Sequence, residues 1–146
     1  MKIAIGSDHA GYLLKEEIKI FLDLKDIPFT DFGTFKIDPS DYPEFAYKVG
    51  NAIASKDCNL GILICGTGIG MSITANKIKG IRAAVANSEE SAKLSRLHND
   101  ANVLCLGARL VEPEQALKIL DGWINTSFEG GRHQKRTNLI TQLTGL

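Results

Sequence analysis

Short apolar runs alternate with longer amphipathic stretches along almost the whole chain, and this alternation restricts the folds that the chain can adopt. The runs with strand-like composition are Lys2–Ile5, Pro28–Phe32, Leu60–Ile64, Ile81–Ala86 and Val103–Leu106. The stretches with helical spacing are Tyr12–Leu24, Tyr42–Ile53, Met71–Ile78, Ser88–Leu97, a segment that starts at Glu112 and the tail through Leu143. Regular β–α alternation is typical of a parallel sheet with helices on both faces. The sequence therefore predicts one α/β domain over residues 1–146, with three layers and about five parallel strands.

The stretch Tyr12–Leu24 has the spacing of an amphipathic helix. The residues expected on its apolar stripe are Leu13, Leu14, Ile18, Phe21 and Leu22. The residues expected on the opposite, solvated face are Lys15, Glu16 and Lys19.

Charge and cysteine content narrow the classes of partner. Lys plus Arg number 17 and Asp plus Glu number 17, so no net field attracts nucleic acid or an anionic membrane. No stretch approaches the ~20 apolar residues of a membrane span, and the first residues lack the pattern of a secretion signal. The cysteines Cys58, Cys65 and Cys105 form no CxxC pair, which argues against a disulfide framework and a zinc knuckle. We expect a soluble protein of the cytoplasm.

The segment Gly6–Gly11 (GSDHAG) follows the first predicted strand, at the edge where parallel α/β sheets bind their ligands. Its two glycines are spaced as in a phosphate-binding P-loop, but Tyr12 stands where that motif needs lysine. Asp8 and His9 remain as two adjacent polar side chains. Taken alone, Asp8 is better explained as a cap of the following helix than as a functional group.

The glycine-rich loop Cys65–Gly70 (CGTGIG) follows the third predicted strand. It is a poor dinucleotide-binding fingerprint, because Met71 occupies the place of the third glycine. The loop opens onto a helix, so its backbone N–H groups could hold a phosphate or a developing oxyanion. Cys65 borders these donors, a setting that can activate a thiol. Cys58 and Cys105 are better explained as small buried apolar residues.

Imidazole and guanidinium groups follow the later elements. His98 and Asn99 come at the end of a predicted helix, where a His is commonly a cap. Arg109 follows the fifth strand, where a structural ion pair would explain it equally well. Arg132 and Arg136 share one face if their segment is helical, and two guanidinium groups suit a phosphate monoester. A solvated basic helix end would also explain these arginines, but in a chain of zero net charge their concentration favours anion binding.

Taken together, six segments resemble the type B ribose-5-phosphate isomerases, a family that includes the sugar-phosphate isomerases of galactose and allose catabolism. The segments are Gly6–Gly11, Cys65–Gly70, Ala75–Lys77, His98–Asn99, Gly107–Arg109 and Gly130–His133. The likeness runs from Met1 to about Ile140, in order and at compatible spacings. It implies a Rossmann-like fold that uses no metal or cofactor. It also implies a homodimer, or a tetramer built from dimers, in which the active sites are shared between subunits.

The resemblance assigns the catalytic roles to four places in the chain. Cys65 corresponds to the catalytic base, and His98 corresponds to the acid that opens the sugar ring. The backbone of the loop corresponds to an anion hole formed by Gly66, Thr67, Gly68, Ile69 and Gly70, with Thr67 also counted among the catalytic residues. Asp8 corresponds to a catalytic group near the sugar hydroxyls. One branch of the family uses a glutamate in this loop, but residues 65–77 contain no carboxylate, which leaves Cys65 as the base.

The resemblance also implies the contacts that bind the substrate. His9 and Asn99 correspond to contacts with the sugar, together with Asp8. Arg109, Arg132 and Arg136 correspond to groups on the phosphate side, some of them supplied by the partner subunit.

The implied reaction interconverts ribose 5-phosphate and ribulose 5-phosphate through an enediolate. Such chemistry needs a base near the carbon, donors for the oxyanion and a relay for hydroxyl protons. A six-carbon substrate, allose 6-phosphate or galactose 6-phosphate, is compatible with the same motifs. The galactose-6-phosphate isomerase subunits generally lack the His98–Asn99 pair and the terminal arginines, which favours the five-carbon substrate. Two further hypotheses are a phosphatase or thioesterase with Cys65 as nucleophile, and a non-catalytic sugar-phosphate sensor.

Overall fold

The structure, a computed structural model that describes residues 1–146, contains a parallel sheet of five strands surrounded by six helices. The strands are β1 (Ile3–Ser7), β2 (Phe29–Asp31), β3 (Leu60–Cys65), β4 (Ala83–Val85) and β5 (Val103–Gly107). The helices are α1 (Tyr12–Leu24), α2 (Tyr42–Ala54), α3 (Ile69–Ala75), α4 (Glu89–Asn99), α5 (Pro113–Ile124) and α6 (Arg132–Thr144). None of these helices combines the length and the apolar composition needed to cross a bilayer.

The strands run across the sheet in the order β2-β1-β3-β5-β4, and every neighbouring pair is parallel. β3 lies at the centre, where Ile64 pairs with Ser7 of β1 and Cys65 pairs with Gly107 of β5. The carboxyl ends of these three strands therefore meet at one edge of the sheet. The segments that follow them carry Asp8, the glycine-rich loop and Arg109, so this strand order brings the predicted site residues of three separate segments side by side.

Alternate strand positions point to opposite faces of the sheet and build two separate hydrophobic cores. The core beneath α1, α4 and α5 includes Ile3, Ile5, Ile62, Ile64, Leu104, Leu106 and the fully buried Trp123. The core beneath α2 and α3 includes Ala4, Val49, Leu63, Met71, Val103 and Cys105. Cys58 also belongs to the second core, so the two cysteines predicted to be buried apolar residues are confirmed as such. The predicted three-layer α/β architecture is confirmed.

Several predicted boundaries are wrong by a few residues. The strand predicted over Ile81–Ala86 is reduced to Ala83–Val85, and α3 begins and ends earlier than predicted. A capping box between Ser88 and Ser91 defines the start of α4. The helix continues through Asn99 and ends at Asp100, which has a left-handed conformation with a φ of 46°. His98 and Asn99 are therefore part of the last turn of α4 and do not follow the helix.

Lys15 is the clearest error in the predicted helix pattern. The pattern places it on the solvated face of α1, but its side chain is completely buried, while Leu13 of the predicted stripe is 69% exposed. Lys15 lies three residues before Ile18 on the helix, which places it on the same face as the core. Burial of its ammonium group is compensated by ion pairs with Asp31 at the end of β2 and with Glu16.

β4 forms one edge of the sheet and is only three residues long. A side chain occupies part of the hydrogen-bonding capacity of its outer edge, because the Ala83 N–H donates to Asn76 Oδ1 at 2.8 Å. The Asn76 amide returns the bond by donating Nδ2 to the Ala83 carbonyl at 2.9 Å. Asn76, which directly follows α3, thus makes the two bonds that a neighbouring strand would make at this position.

Candidate active site

Cys65 ends the central strand, and a backbone donor faces its sulfur atom. The side chain is buried, with 5% of its surface exposed. The Gly68 N–H donates to Cys65 Sγ at 3.1 Å. This geometry depends on a φ of 77° at Gly68, in the left-handed region that glycine adopts without strain. The thiol therefore lies where a backbone N–H of the glycine-rich loop contacts it directly.

The loop that follows Cys65 is packed tightly on three sides. A Cβ atom on Gly107 would lie 2.9 Å from the backbone of Thr67, so β5 supports the loop from below. A Cβ atom on Gly70 would lie 2.6 Å from the ring of Tyr42, which closes the loop from the side of α2. Arg109 lies over Gly66, whose added Cβ would be 3.1 Å from the guanidinium. These contacts hold the row of backbone N–H groups in one conformation.

Asp8 follows β1 beside this loop and is nearly buried. Its Oδ1 atom accepts hydrogen bonds from the N–H groups of Ala10 and Gly11, at 2.9 and 3.1 Å. Its own N–H donates to the carbonyl of Ile64, the residue before Cys65. The interpretation of Asp8 as a helix cap is wrong, because the N-cap position of α1 is Gly11 and no side chain accepts a capping hydrogen bond there. Oδ1 instead stabilises the turn that leads into α1. Because Oδ1 makes both bonds, Oδ2 remains the oxygen that can meet a substrate hydroxyl.

His9 is held by the loop that leads into α2. The Ser40 N–H donates to His9 Nδ1 at 3.1 Å, and the His9 N–H donates to Ser40 Oγ at 3.0 Å. Nδ1 also lies 3.3 Å from the carbonyl oxygen of Ser40, so this one residue holds the ring by its Nδ1 edge. The Nε2 atom makes no contact with Ser40. Neither Ser40 nor Tyr42 is identifiable from the sequence, because each meets the site only through tertiary packing.

We call these residues the carboxyl-edge group: Asp8, His9, Cys65–Gly70 and Arg109.

The remaining predicted site residues lie at the other end of the sheet. α4 returns from the carboxyl end of β4 to the amino end of β5, and its 11 residues span roughly 16 Å. Arg82 directly precedes β4 and so lies at the amino end of that strand. Its Nε donates to the carbonyl of Asn99 at 3.0 Å, which places the end of α4 at the amino end of the sheet. One subunit therefore does not bring His98 or Asn99 to Cys65.

The beginning of α6 packs against the end of α4. The Glu129 N–H donates to the carbonyl of Leu97 at 3.1 Å. The imidazole rings of His98 and His133 are stacked, with centroids 4.3 Å apart and planes inclined by 10°. Arg132 and Arg136 are both helical and exposed at this end, so the predicted i, i+4 pair is confirmed. We call His98, Asn99, Arg132 and Arg136 the amino-edge group.

A carboxylate faces both stacked imidazoles. Glu129 Oε2 lies 3.9 Å from His98 Nε2 and 3.7 Å from His133 Nε2. Burial lowers the pKa of His133, and the positive charges of His98, Arg132 and Arg136 lower it further, while Glu129 acts in the opposite direction. Protonation of the His133 ring is therefore disfavoured.

The cluster of His98, Glu129 and His133 has the residue types of a metal site, with ligand atoms within 4.8 Å of one another. An imidazole binds a metal ion through a lone pair that lies in the ring plane. The two ring planes are nearly parallel, so these lone pairs run side by side and do not converge on one point. The arrangement is that of a stacked pair with a shared carboxylate.

The comparisons with known proteins agree over nearly the full chain. The family described as Ribose/Galactose Isomerase matches residues 3–140. The ribose-5-phosphate isomerase B of Escherichia coli is 49% identical over 97% of this chain and 95% of its own. The structure of ribose-5-phosphate isomerase B from Clostridium thermocellum superposes with a TM-score of 0.98 at 50% identity, covering 99% of this chain and 98% of its own. The structure of ribose-5-phosphate isomerase B from Mycoplasma genitalium with bound ribulose-5-phosphate superposes with a TM-score of 0.95 at 44% identity. This match covers 99% of this chain and 96% of the other. The chain belongs to the ribose/galactose isomerase family.

Proposed function

We propose that the protein interconverts ribose 5-phosphate and ribulose 5-phosphate, with Cys65 as the base. The observation that carries this proposal is the pairing of the Cys65 thiol with the Gly68 N–H at the carboxyl edge. The relatives named above are ribose-5-phosphate isomerases, and the one from Mycoplasma genitalium binds ribulose-5-phosphate. Both the position of the thiol and the family membership support an aldose–ketose isomerase.

The central step is a proton transfer between two neighbouring carbon atoms. The Cys65 thiolate removes the proton from C2 of the open-chain aldose, and the electron pair moves onto the aldehyde oxygen to form an enediolate. The same thiol then returns its proton to C1, while the hydroxyl proton moves from O2 to O1. N–H groups of Gly66–Gly70 stabilise the oxyanion, and Thr67 with the free oxygen of Asp8 guides the hydroxyl proton.

The sugar ring must open before this step, and His98 is the group that we assign to it. As an imidazolium it donates a proton to the ring oxygen, while a solvent water accepts the proton of the C1 hydroxyl as the aldehyde forms. An imidazole suits this exchange because it titrates close to neutral pH. The side chain is 38% exposed within one subunit, so a sugar can reach it.

A second copy of the chain completes each site in this proposal. Within one subunit the carboxyl-edge and amino-edge groups lie at opposite ends of the sheet, so neither group alone contains both Cys65 and His98. Apolar surface is exposed beside both groups: Ile69 and Ile73 on α3 are 53% and 57% exposed, and Ile140 and Leu143 on α6 are 47% and 82% exposed. Contact between copies would bury this surface. We infer a homodimer with two shared sites, which could pair further into a tetramer.

The phosphate group of the substrate is bound by arginines in this arrangement. Arg132 and Arg136 reach the partner's site from one helix face, and Asn99 contacts the sugar beside them. His9 offers its Nε2 atom, and Arg109 lies over Gly66 on the side of the loop. Forked guanidinium groups bind a phosphate monoester through paired hydrogen bonds, and this remote binding positions C1 and C2 at the thiol.

Incubation of the purified protein with ribose 5-phosphate tests the proposal, with ribulose 5-phosphate measured as the product. The Cys58→Ala variant, which changes an equally buried cysteine, should remain active, and Cys65→Ala should not. Conversion of allose 6-phosphate but not ribose 5-phosphate would establish a six-carbon substrate. Release of inorganic phosphate would indicate a cysteine-dependent phosphatase, and binding without turnover would indicate a sensor. Each of these three outcomes would overturn the proposed reaction.

A further inference from the structure

His133 has no role in the reaction proposed above, yet it contacts two residues that do. Its side chain is nearly buried at the start of α6, with 4% of the residue exposed. One face of its ring stacks on His98 with the centroids 4.3 Å apart. At the edge of the ring, Arg132 Nε donates to His133 Nε2 at 3.4 Å. The ring therefore lies between the group assigned to ring opening and a group assigned to phosphate.

The hydrogen bond from Arg132 defines the state of the His133 ring. A guanidinium can only donate, so Nε2 must be the acceptor and the neutral ring carries its proton on Nδ1. The charged groups around this ring are His98, Glu129, Arg132 and Arg136. Three of these four groups are cations when His98 is protonated, so a second proton on the stacked pair is disfavoured.

We propose that His133 is a positioning residue that fixes the ring of His98 by stacking and the guanidinium of Arg132 by accepting its Nε–H. This inference rests on the proposed function, since it takes the roles of His98 and Arg132 from it. The two contacts use different parts of the imidazole: the stack uses its π face, and the hydrogen bond uses its Nε2 lone pair.

Both positioned side chains need such support because they face solvent within one subunit. The His98 side chain is 38% exposed, and it has no hydrogen bond of its own that would set the direction of Nε2. Arg132 is exposed, and a free guanidinium side chain loses considerable rotamer entropy when it binds a ligand. Anchoring Nε leaves both Nη groups directed outward in the forked geometry that a phosphate accepts.

The two functions can be separated by substitution, because different side chains preserve different parts of the imidazole. His133→Phe keeps an aromatic ring for His98 to stack on but removes the acceptor for Arg132. His133→Gln keeps an acceptor near the position of Nε2 but removes the aromatic face. Lys135→Gln is the matched control, since Lys135 is an exposed neighbour on the same helix.

Steady-state kinetics of the homodimer with ribose 5-phosphate and with ribulose 5-phosphate tests the separation. We expect His133→Phe to raise KM about 10-fold with kcat nearly unchanged, as a loss of phosphate alignment requires. We expect His133→Gln to lower kcat with ribose 5-phosphate about 10-fold, with KM nearly unchanged and turnover of open-chain ribulose 5-phosphate retained. Lys135→Gln should match the wild type in both parameters.

Two measurements that require no turnover test the role of His133 independently of which reaction the protein catalyses. The ring of His133 should shift the His98 imidazole proton signals in an NMR spectrum, and this shift should persist in His133→Phe and vanish in His133→Gln. Inorganic phosphate should bind more weakly to His133→Phe than to His133→Gln. If the wild type proves inactive on ribose 5-phosphate, the proposed function fails while these two readouts still decide the positioning role. Unchanged kinetics in both variants, or equal losses in both that follow their thermal stability, would overturn the inference.

Discussion

The backbone N–H of Gly68 points at the Sγ atom of Cys65 from a distance of 3.1 Å. Two residues separate them in the chain, and the turn closes only because Gly68 has a φ of 77°. A side chain at this position would also press on the backbone of Leu106, since an added Cβ would lie 3.1 Å from its carbonyl carbon. The pairing of thiol and donor is therefore a property of how the loop sits on β5, and not of the loop alone.

Replacement of Cys65 should remove activity without removing the fold. We expect Cys65→Ala and Cys65→Ser to lower kcat by about 10²–10⁴-fold, the usual contribution of a general base. Serine retains an acceptor for the Gly68 N–H, but its hydroxyl does not ionise at neutral pH and cannot replace the thiolate. Initial rates at matched protein concentration, with circular dichroism of each variant, provide the check. Activity of either variant within 10-fold of the Cys58→Ala control would exclude Cys65 as the base.

The contact between Gly70 and Tyr42 should make this glycine sensitive to a single methyl group. An added Cβ would lie 2.6 Å from the Tyr42 ring, so either the ring or the loop must move. We expect Gly70→Ala to lower kcat/KM by about 10–100-fold, since displacement of an anion-binding loop by ~1 Å is costly. Gly80→Ala is the control: it adds strain at a φ of 82° but meets no atom within 4 Å, so activity should persist. Equal activity of the two variants would contradict this role of the contact.

Loss of His98 should affect the two directions of the reaction differently. His98→Asn should slow turnover of ribose 5-phosphate, which is mostly a closed furanose, by about 10²-fold or more. Turnover of ribulose 5-phosphate, which cannot form this ring, should fall much less. The measurement is kcat in each direction, corrected for the overall equilibrium. An equal loss in both directions would show that His98 acts in the enediolate step or only supports the fold.

Mixed dimers should reveal whether the sites are shared. We expect Cys65→Ala and Arg136→Ala homodimers to be inactive or severely impaired, because each site then lacks one required group. In a heterodimer of the two variants, a shared arrangement places both lesions in one site and leaves the other site intact. Purified heterodimers should therefore have about half the activity of the wild type, and an equimolar mixture after random subunit exchange should have about a quarter. Verified heterodimers without recovery, or a fully active monomer, would contradict shared sites.

The buried ion pair of Lys15 and Asp31 should make stability depend on pH in acid. Burial acts to raise the pKa of Asp31, but hydrogen bonds from Lys15, the Gly33 N–H and Lys19 outweigh it, and the net pKa is lowered. A lowered pKa in the folded state means that the carboxylate stabilises the fold above its unfolded pKa of about 3.9, and that this contribution is lost as the pH falls further.

Asp31→Asn should therefore lower the free energy of unfolding at pH 7 by about 3 kcal/mol, because it leaves a buried ammonium with one carboxylate fewer. It should also flatten the loss of stability below pH 4. Asp38→Asn is the control, since its pair with Lys36 is exposed and worth at most about 1 kcal/mol. Urea unfolding of both variants at several pH values gives the comparison. A parallel pH dependence in Asp31→Asn and wild type would refute the assignment.

The fold and half of the site were predictable because both follow from local patterns. Alternation of apolar runs defined the parallel sheet, and the rule that ligands bind beyond the strand ends selected Asp8, His9 and the loop after Cys65. These residues come together because β1, β3 and β5 are neighbours. The order of the strands itself was not predictable from the pattern, since it depends on which edges pair in the folded chain.

The remaining features depend on contacts between distant segments. The sequence pattern places Lys15 among solvated residues, and only its ion pair with Asp31 explains its burial. The sequence likewise shows His133 as one member of a basic segment, and its stacking on His98 becomes visible only when α6 packs on α4. Tyr42 carries no motif, and only its position against Gly70 connects it to the site. In each case a residue type common on protein surfaces acquires its role from a partner far away in sequence.

The hydrogen-bonded pair between the Asn76 amide and Ala83 has a consequence for the protein at high concentration. An unprotected edge strand can recruit strands from other molecules, which is the first step of fibril growth. Here one outward-facing N–H and C=O of a very short strand are already occupied, so an incoming chain would have to displace Asn76 before it could extend the sheet. Asn76→Ala should therefore leave the chemistry of the distant thiol intact and increase aggregation. In the native protein the sheet ends at β4 because a single amide side chain imitates the strand that would follow.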